Sequence, residues 1–258
     1  MGHTSPCHHA PSGSFPLVAR DMWARSPGAW RSFAASRGKD GDVVFNPIVH
    51  GLIGWTLAHV VATDRRTRLW CVIAALVPDL DGFGIIFGPQ VYQRYHHVLT
   101  HNVFFGLAVT VISARWIGGR PAALVLVFAS FLSHLVGDYF GSGEGWSLWP
   151  FWPLSSFEVL NPHAWPFISW QNNVIGFTSV AVALLIAVRW GRTPLEFFSP
   201  GLDRSVVDAL RLRFRATPCA TCESRATARC HACGRAVCRQ HVATPTYRHL
   251  VCAGCPEA

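Results

Sequence analysis

Residues 121–140, PAALVLVFASFLSHLVGDYF, run apolar from Pro121 to Leu132 and then place His134 and Asp138 in the last third of the stretch. A helix of about 20 residues crosses the ~30 Å hydrocarbon core of a bilayer, so this run reads as a membrane span. An Asp at a helix centre costs roughly 2.5–3.5 kcal/mol on insertion scales, and such groups sit where something binds them. At i and i+4 the imidazole and the carboxylate share one helix face, with Cβ atoms ~5–6 Å apart. That spacing can chelate one ion.

The pattern extends in both directions. Apolar runs Val43–Ala62, Leu69–Gly88, Val103–Ile117 and Asn173–Trp190 accompany Pro121–Phe140, half of all residues are apolar and only 14% are charged, which points to the bilayer. The expected fold is an all-α membrane protein, a bundle of about five transmembrane helices with a small C-terminal two-zinc module. The ionisable residues recur as well: His50 early in the first run, Asp79 and Asp81 in the second, His96 and His101 just before the third. With helices alternating in direction, these five and His134 and Asp138 all fall toward one bilayer face.

Local chemistry supports that convergence. Pro78, Gly82 and Gly84 disfavour continuous helix around Asp79 and Asp81, so both carboxylates can turn into one cavity. His96 and His101, five apart, would face different sides of an ideal helix, and a loop-to-helix junction between them removes the conflict. Imidazoles and carboxylates without thiols suit Zn²⁺, Mn²⁺ or Fe²⁺. Seven candidates exceed what one catalytic ion with an open position uses, so one or two ions are expected, and two ~3.5–4 Å apart would clamp a phosphoryl or acyl centre. Asp79, Asp81, His134 and Asp138 are the catalytic candidates, a carboxylate free of metal serving as general base. His97 is a ligand or a polar neighbour of the ligands. His59 and His163 fit helix packing or an interface. The competing view of the whole set is a polar packing network or an ion path.

The net charge is +8, with Lys39 as the one lysine. Arg65, Arg66, Arg68, Arg115, Arg120, Arg189 and Arg192 follow spans one, three and five, whereas 141–172 has no Lys or Arg. The positive-inside rule makes the arginine-bearing ends and the C-terminal tail cytoplasmic. The N-terminal segment, residues 1–42, disagrees: Arg20, Arg25, Arg31, Arg37 and Lys39 would lie outside. It lacks a secretory apolar region and is rich in Ser, Gly, Pro and Arg, so it reads as a disordered tail in which His3, Cys7, His8 and His9 build no site.

The order His50, Pro78-Asp79-Leu80-Asp81, His96 with Thr100-His101, Ser133-His134-Leu135 with Asp138, then Leu148-Trp149-Pro150 resembles the membrane-bound metal-dependent hydrolase family, which includes LexA-regulated bacterial inner-membrane proteins. The resemblance covers roughly 46 to 154. It implies a hydrolase acting on an ester or phosphoester, with a distant likeness to zinc-dependent phospholipase C and related zinc nucleases. The family usually has His-Arg-Gly-x-Thr-His where this chain has His96-His97-Val98-Leu99-Thr100-His101, so an anion-binding arginine is missing. Trp146, Trp149, Trp152, Trp165 and Trp170 follow among prolines and fit an interfacial belt, or a lid for an amphiphilic substrate.

Beyond the hydrolase region (43–192), a linker (193–217) carries Leu202, Val206, Val207, Leu210 and Phe214 on one face of a basic amphipathic helix. That helix suits a membrane surface or packing on the next domain. The module at 218–258 contains Cys219-x2-Cys222, Cys230-x2-Cys233, Cys238-x2-His241 and Cys252-x2-Cys255, the complement of two closed Zn²⁺ sites. It resembles a B-box or related cross-brace finger, which implies that Cys219, Cys222, Cys238 and His241 share one ion and Cys230, Cys233, Cys252 and Cys255 the other. Sequential pairing is the alternative the spacing allows. Closed sites are structural, and the module is expected to recruit a cytoplasmic protein rather than nucleic acid, since no aromatic platform accompanies its arginines. The function expected of the chain is membrane hydrolysis; the rival is a non-catalytic adaptor.

Overall fold

Proline, glycine and short polar residues set the boundaries of the elements. The computed structural model describes residues 45–61, 64–245 and 250–255. The N-terminal tail reading and the residues His3, Cys7, His8 and His9 lie outside the described residues. Helix α1 spans Phe45–Val61, and α2 spans Arg65–Leu76 behind the N-cap Asp64, whose carboxylate accepts the Thr67 amide at 2.9 Å. At Pro78 the α2 chain tightens into a 3-10 helix, Val77–Phe87. Eleven residues is long for this conformation, which rarely exceeds 3–4. The short α3, Pro89–Tyr95, then leads to a loop and to α4, Val103–Ile117, capped by Asn102. Helix α5 is Pro121–Gly141 and α6 is Trp170–Trp190. Between them lies a two-stranded antiparallel pair, β1 (Ser147–Leu148) with β2 (Val159–Leu160).

Helices α1, α2 and α5 form the centre of the bundle, with α4 and α6 on its flanks. Small residues permit the close approach. A Cβ on Gly54 of α1 would stand 2.6 Å from the Cys71 carbonyl oxygen of α2, and one on Gly106 of α4 would stand 2.5 Å from the Phe131 ring of α5. Ala58, Cys71, Ala74, Val127 and Phe131 are fully buried between these helices. The outer surface is apolar: Val60, Val111, Val125, Phe177 and Leu185 are all exposed. Apolar inside and outside alike, the bundle has the surface of a protein solvated by lipid.

The expected count of five spans is not supported. Among the described residues three segments are long and apolar enough to cross a membrane: Arg65–Phe87, Pro121–Gly141 and Trp170–Trp190. Helices α1 and α4 are apolar but short; at 1.5 Å per residue, α4 reaches only about 23 Å against the ~30 Å core.

One polar contact at the arginine-bearing end has no local signal in the sequence. Arg68 is buried in a bidentate pair with Glu196, at 2.7 and 2.6 Å, and Trp55 donates to the same carboxylate at 3.1 Å. Glu196 belongs to a 3-10 turn, Pro194–Phe197, so α1, α2 and the end of α6 are joined by one carboxylate. Helix α7, Pro200–Arg215, follows. Of its expected apolar face, Val207 is buried while Leu202 and Phe214 are exposed, and Leu212 packs on Ala226 and Ala236 of the cysteine-rich module. Arg211 and Arg215 donate to the Val188 carbonyl at the end of α6, where cations suit the helix dipole. Packing on its neighbours, the second expectation for this helix, is what the contacts display. The module itself holds two antiparallel pairs, β3 (Ala228–Arg229) with β4 (Ala236–Val237) and β5 (Val242–Pro245) with β6 (Leu250–Cys252).

Candidate metal centre

The residues singled out along the chain meet at one end of the bundle, opposite the end that bears Arg65, Arg68 and Arg120. His50 comes from α1, Asp79 and Asp81 from the 3-10 segment after α2, His96, His97 and His101 from the loop between α3 and α4, and His134 and Asp138 from α5. The loop forms as the spacing requires. His96 closes α3 in an extended conformation, His97 takes φ 69°, and α4 starts only after Asn102. Thr100 fixes the loop to the 3-10 segment by donating its hydroxyl to the Pro78 carbonyl. A Cβ on Gly137 would stand 2.7 Å from the His50 ring, so glycine there admits His50 between α1 and α5.

Hydrogen bonds define which nitrogen of each imidazole is available. His134 Nδ1 lies 2.7 Å from the Ala75 carbonyl oxygen, which can only accept, so Nδ1 carries the proton and the neutral ring keeps its lone pair on Nε2. His101 Nδ1 lies 3.0 Å from Asp81 Oδ2 and donates to it, leaving its Nε2 free in the same way. These two Nε2 atoms are 3.2 Å apart. Asp138 Oδ2 is 2.9 Å from the first and 3.1 Å from the second, and Asp79 Oδ1 is 3.6 and 4.0 Å from them. Electron-rich atoms thus crowd around one point, in a region where His101 and His134 are fully buried. A positive charge among them removes the repulsion.

The distances fit a metal. With bonds of about 2.0–2.1 Å, two ligands of a tetrahedral ion stand roughly 3.3–3.4 Å apart, and the five separations bracket that value. Asp79, His101 and His134 form one set of ligand atoms within 4.8 Å of one another; His50, His134 and Asp138 form a second, and His96, His97 and His101 a third. The sets share His134 and His101. His50 has both ring nitrogens buried without a hydrogen bond, His97 has its Nδ1 so, and Asp138 its Oδ2. Orphaned buried nitrogens and oxygens of this kind are what a bound ion satisfies.

Asp81 departs from its expected place. Its Oδ1 takes His96 Nδ1 at 2.6 Å and its Oδ2 takes His101 Nδ1, so both oxygens are engaged behind the imidazoles and neither faces the ligand atoms of His134. Sequence alone could not divide Asp79 from Asp81, because the division depends on the 3-10 turn. His97 belongs in the cluster, with Nε2 3.7 Å from Asp138 Oδ2, and its adjacency to His96 was the signal. Tyr92 stacks on His96 at 4.6 Å and Trp146 lies against His96 and His97 at 5.4 and 5.0 Å. His59 instead meets the Trp55 carbonyl, and His163 is in none of the three sets.

The C-terminal ligands assemble in two quartets among the described residues: Cys219, Cys222, Cys238 and His241, and Cys230, Cys233, Cys252 and Cys255. This is the interleaved pairing. Sulfur separations of 3.7 Å (Cys222 to Cys238), 3.7 Å (Cys230 to Cys255) and 3.6 Å (Cys233 to Cys252) match the ~3.75 Å edge implied by Zn–S bonds of about 2.3 Å. All eight described cysteines are free of disulfides. The thiols of each quartet are driven apart: backbone amides, first those of Thr221 and Cys233, bring Cys219 and Cys230 down to about 6, while burial raises Cys238 and the neighbouring thiols of Cys233 and Cys252 push Cys255 up to about 12. Thiolates are the form that binds metal.

No curated protein and no solved structure matches the chain. A family model described as YdjM inner membrane protein matches residues 46–199, more than half the chain, which contains every residue of the membrane cluster. With its apolar surface and three membrane-length segments, the chain belongs to the YdjM inner membrane protein family.

Proposed function

We propose that this protein is a membrane-embedded metal-dependent hydrolase of an ester or phosphoester, with a lipid-like substrate favoured by the position of the site. One observation carries the reading: His101 and His134 are locked through Nδ1, by Asp81 and by the Ala75 carbonyl, so that their Nε2 atoms face each other and two carboxylates. Histidines oriented from behind in this manner are the ordinary form of catalytic metal ligands.

His101, His134, Asp138 and Asp79 would hold the ion, with His50, His97 and His96 around them for a second. A divalent ion there supplies Lewis acidity toward water and toward a phosphoryl or acyl oxygen. The remaining work falls to the side chains. Asp79 is the accessible member, its side chain 30% exposed while those of His101 and Asp138 are 0% and 3%. With its Oδ1 on the side of the ligand nitrogens, its Oδ2 would be the oxygen left to take a proton from an attacking water. Tyr92 and Trp146, packed on His96 and His97, would give an acyl or aromatic portion of a substrate its contact. In the C-terminal module two Zn²⁺ ions would be structural, each enclosed by four protein ligands, and the module would face the cytoplasm beside the arginine-bearing helix ends.

Hydrolysis of a panel of chromogenic phosphoesters and carboxylic esters by the purified protein tests this. We expect turnover that disappears in His134→Ala with the protein still folded. Turnover retained in full by that variant, or absent across the panel with the membrane centre loaded, contradicts the reading.

A further inference from the structure

Far from the metal centre, the arginine-bearing end of the bundle encloses a cleft of about 340 Å³ between the end of α6, the start of α2 and α7. Four arginines line it, Arg65, Arg192, Arg204 and Arg211, together with Glu196, Asp203 and Asp208. The three acids are already engaged elsewhere. Glu196 is held by Arg68 and Trp55, Asp203 accepts the Thr193 amide at 2.6 Å and its hydroxyl at 2.7 Å, and Asp208 pairs with Arg229 at 3.4 Å. The arginines are not so matched. Arg65 reaches the Phe197 carbonyl and Arg211 the Val188 carbonyl, while Arg192 and Arg204 make no hydrogen bond or ion pair with any described residue. Gly191, at φ 72°, makes the room: a Cβ there would stand 2.7 Å from the Arg211 guanidinium.

From this geometry we infer that the cleft binds a phosphate group, with Arg192 and Arg204 as its principal donors. Guanidinium suits phosphate because its planar fork gives paired charge-assisted hydrogen bonds. The surroundings favour a phosphate carried by an anionic lipid. Trp190 and Leu202 adjoin the lining residues Gly191 and Asp203 in sequence, Phe198 lies two residues from Glu196 and from Pro200, and all three are exposed, Phe198 by 82%, so acyl chains have apolar surface near the cleft. The cleft also sits at the end of a membrane-length helix, where basic pockets take lipid headgroups. This inference does not depend on hydrolysis at the metal centre.

The test uses the full-length protein in a neutral detergent. Tryptophan-detected melting is followed while dioctanoyl phosphatidylglycerol, dioctanoyl phosphatidylcholine or sodium phosphate is titrated. We expect a saturable rise in Tm with phosphatidylglycerol, little with phosphatidylcholine, and at least a tenfold weaker apparent affinity in the double variant Arg192→Gln, Arg204→Gln. The single variant Arg204→Gln, at an exposed side chain, supplies the same reading at roughly threefold should the double variant fold poorly. Arg66→Gln, exposed and outside the cleft, should behave as wild type. An equal, saturable response to sodium phosphate that the arginine variants lose supports the phosphate site with a free anion as its source. No saturable response to either anion, or an unchanged response in the Arg204→Gln protein, overturns it.

Discussion

At the residue scale, the arrangement of protons on two imidazoles decides what the cluster can do. Asp81 holds His101 and His96 through their Nδ1 atoms, so its replacement should change orientation rather than remove a ligand. Asp81→Asn is expected to weaken divalent-ion affinity at the membrane centre about ten- to a hundredfold, read by competition with a chelating dye, at a melting temperature close to wild type. Unchanged affinity would show that Asp81 orients nothing. A second residue-scale effect concerns pH. Burial raises the Asp64 carboxyl, but the Thr67 hydroxyl and amide and the Arg120 guanidinium outweigh it and bring the group down to about 2 from an ordinary 3.8. A depressed carboxyl stabilises the fold above its unfolded value and loses that contribution as pH falls through the folded one. Asp64→Ala, which removes the cap of α2, should therefore cost about 0.5–2 kcal/mol near neutrality. The gap from wild type should close between pH 4 and pH 2 in a melting series, and a gap constant with pH would refute the assignment.

At the scale of elements, helices from distant parts of the sequence are joined by a few buried contacts. The Arg68 and Glu196 pair fastens the first turn of α2 to the segment after α6. Breaking such a pair strands a buried charge, so Arg68→Ala should destabilise the bundle by roughly 3–5 kcal/mol in denaturant unfolding. A loss below ~1 kcal/mol would mean that the pair is dispensable. Arg68 reads in sequence as one more topology arginine, since nothing local announces a carboxylate 128 residues away. The helices themselves are legible: Pro89 and Pro121 open α3 and α5, and Pro78 turns α2 into the 3-10 segment. Which apolar runs are long enough to span is less so. Val103–Ile117 has the hydropathy of a span but ends in Gly118, whose left-handed conformation closes the helix after 15 residues.

Across the whole molecule, the two ligand systems differ in how far sequence reveals them. The thiol pairs have a spacing that reads as metal binding on its own, and chain folding then interleaves them into the expected quartets. The membrane cluster is a weaker signal piece by piece. It becomes visible through helix direction, because His50, Asp79, His101 and His134 converge only once alternate helices are reversed; the division of Asp79 from the orienting Asp81 depends on the 3-10 turn. Removing metal should separate the systems. In proteolysis, a membrane-permeant chelator is expected to expose the segment after 218 to cleavage while the apolar helices stay resistant, since so small a module would depend on bound ions for folding. Retained resistance of that segment in chelator would argue for a metal-independent fold. The most direct measurement is elemental analysis of the purified full-length protein beside its His101→Ala and His134→Ala forms. Wild type should carry three or four divalent ions per chain, falling to the two of the C-terminal quartets in either variant; a wild-type content of two, unchanged by both substitutions, would contradict a metal centre inside the bundle.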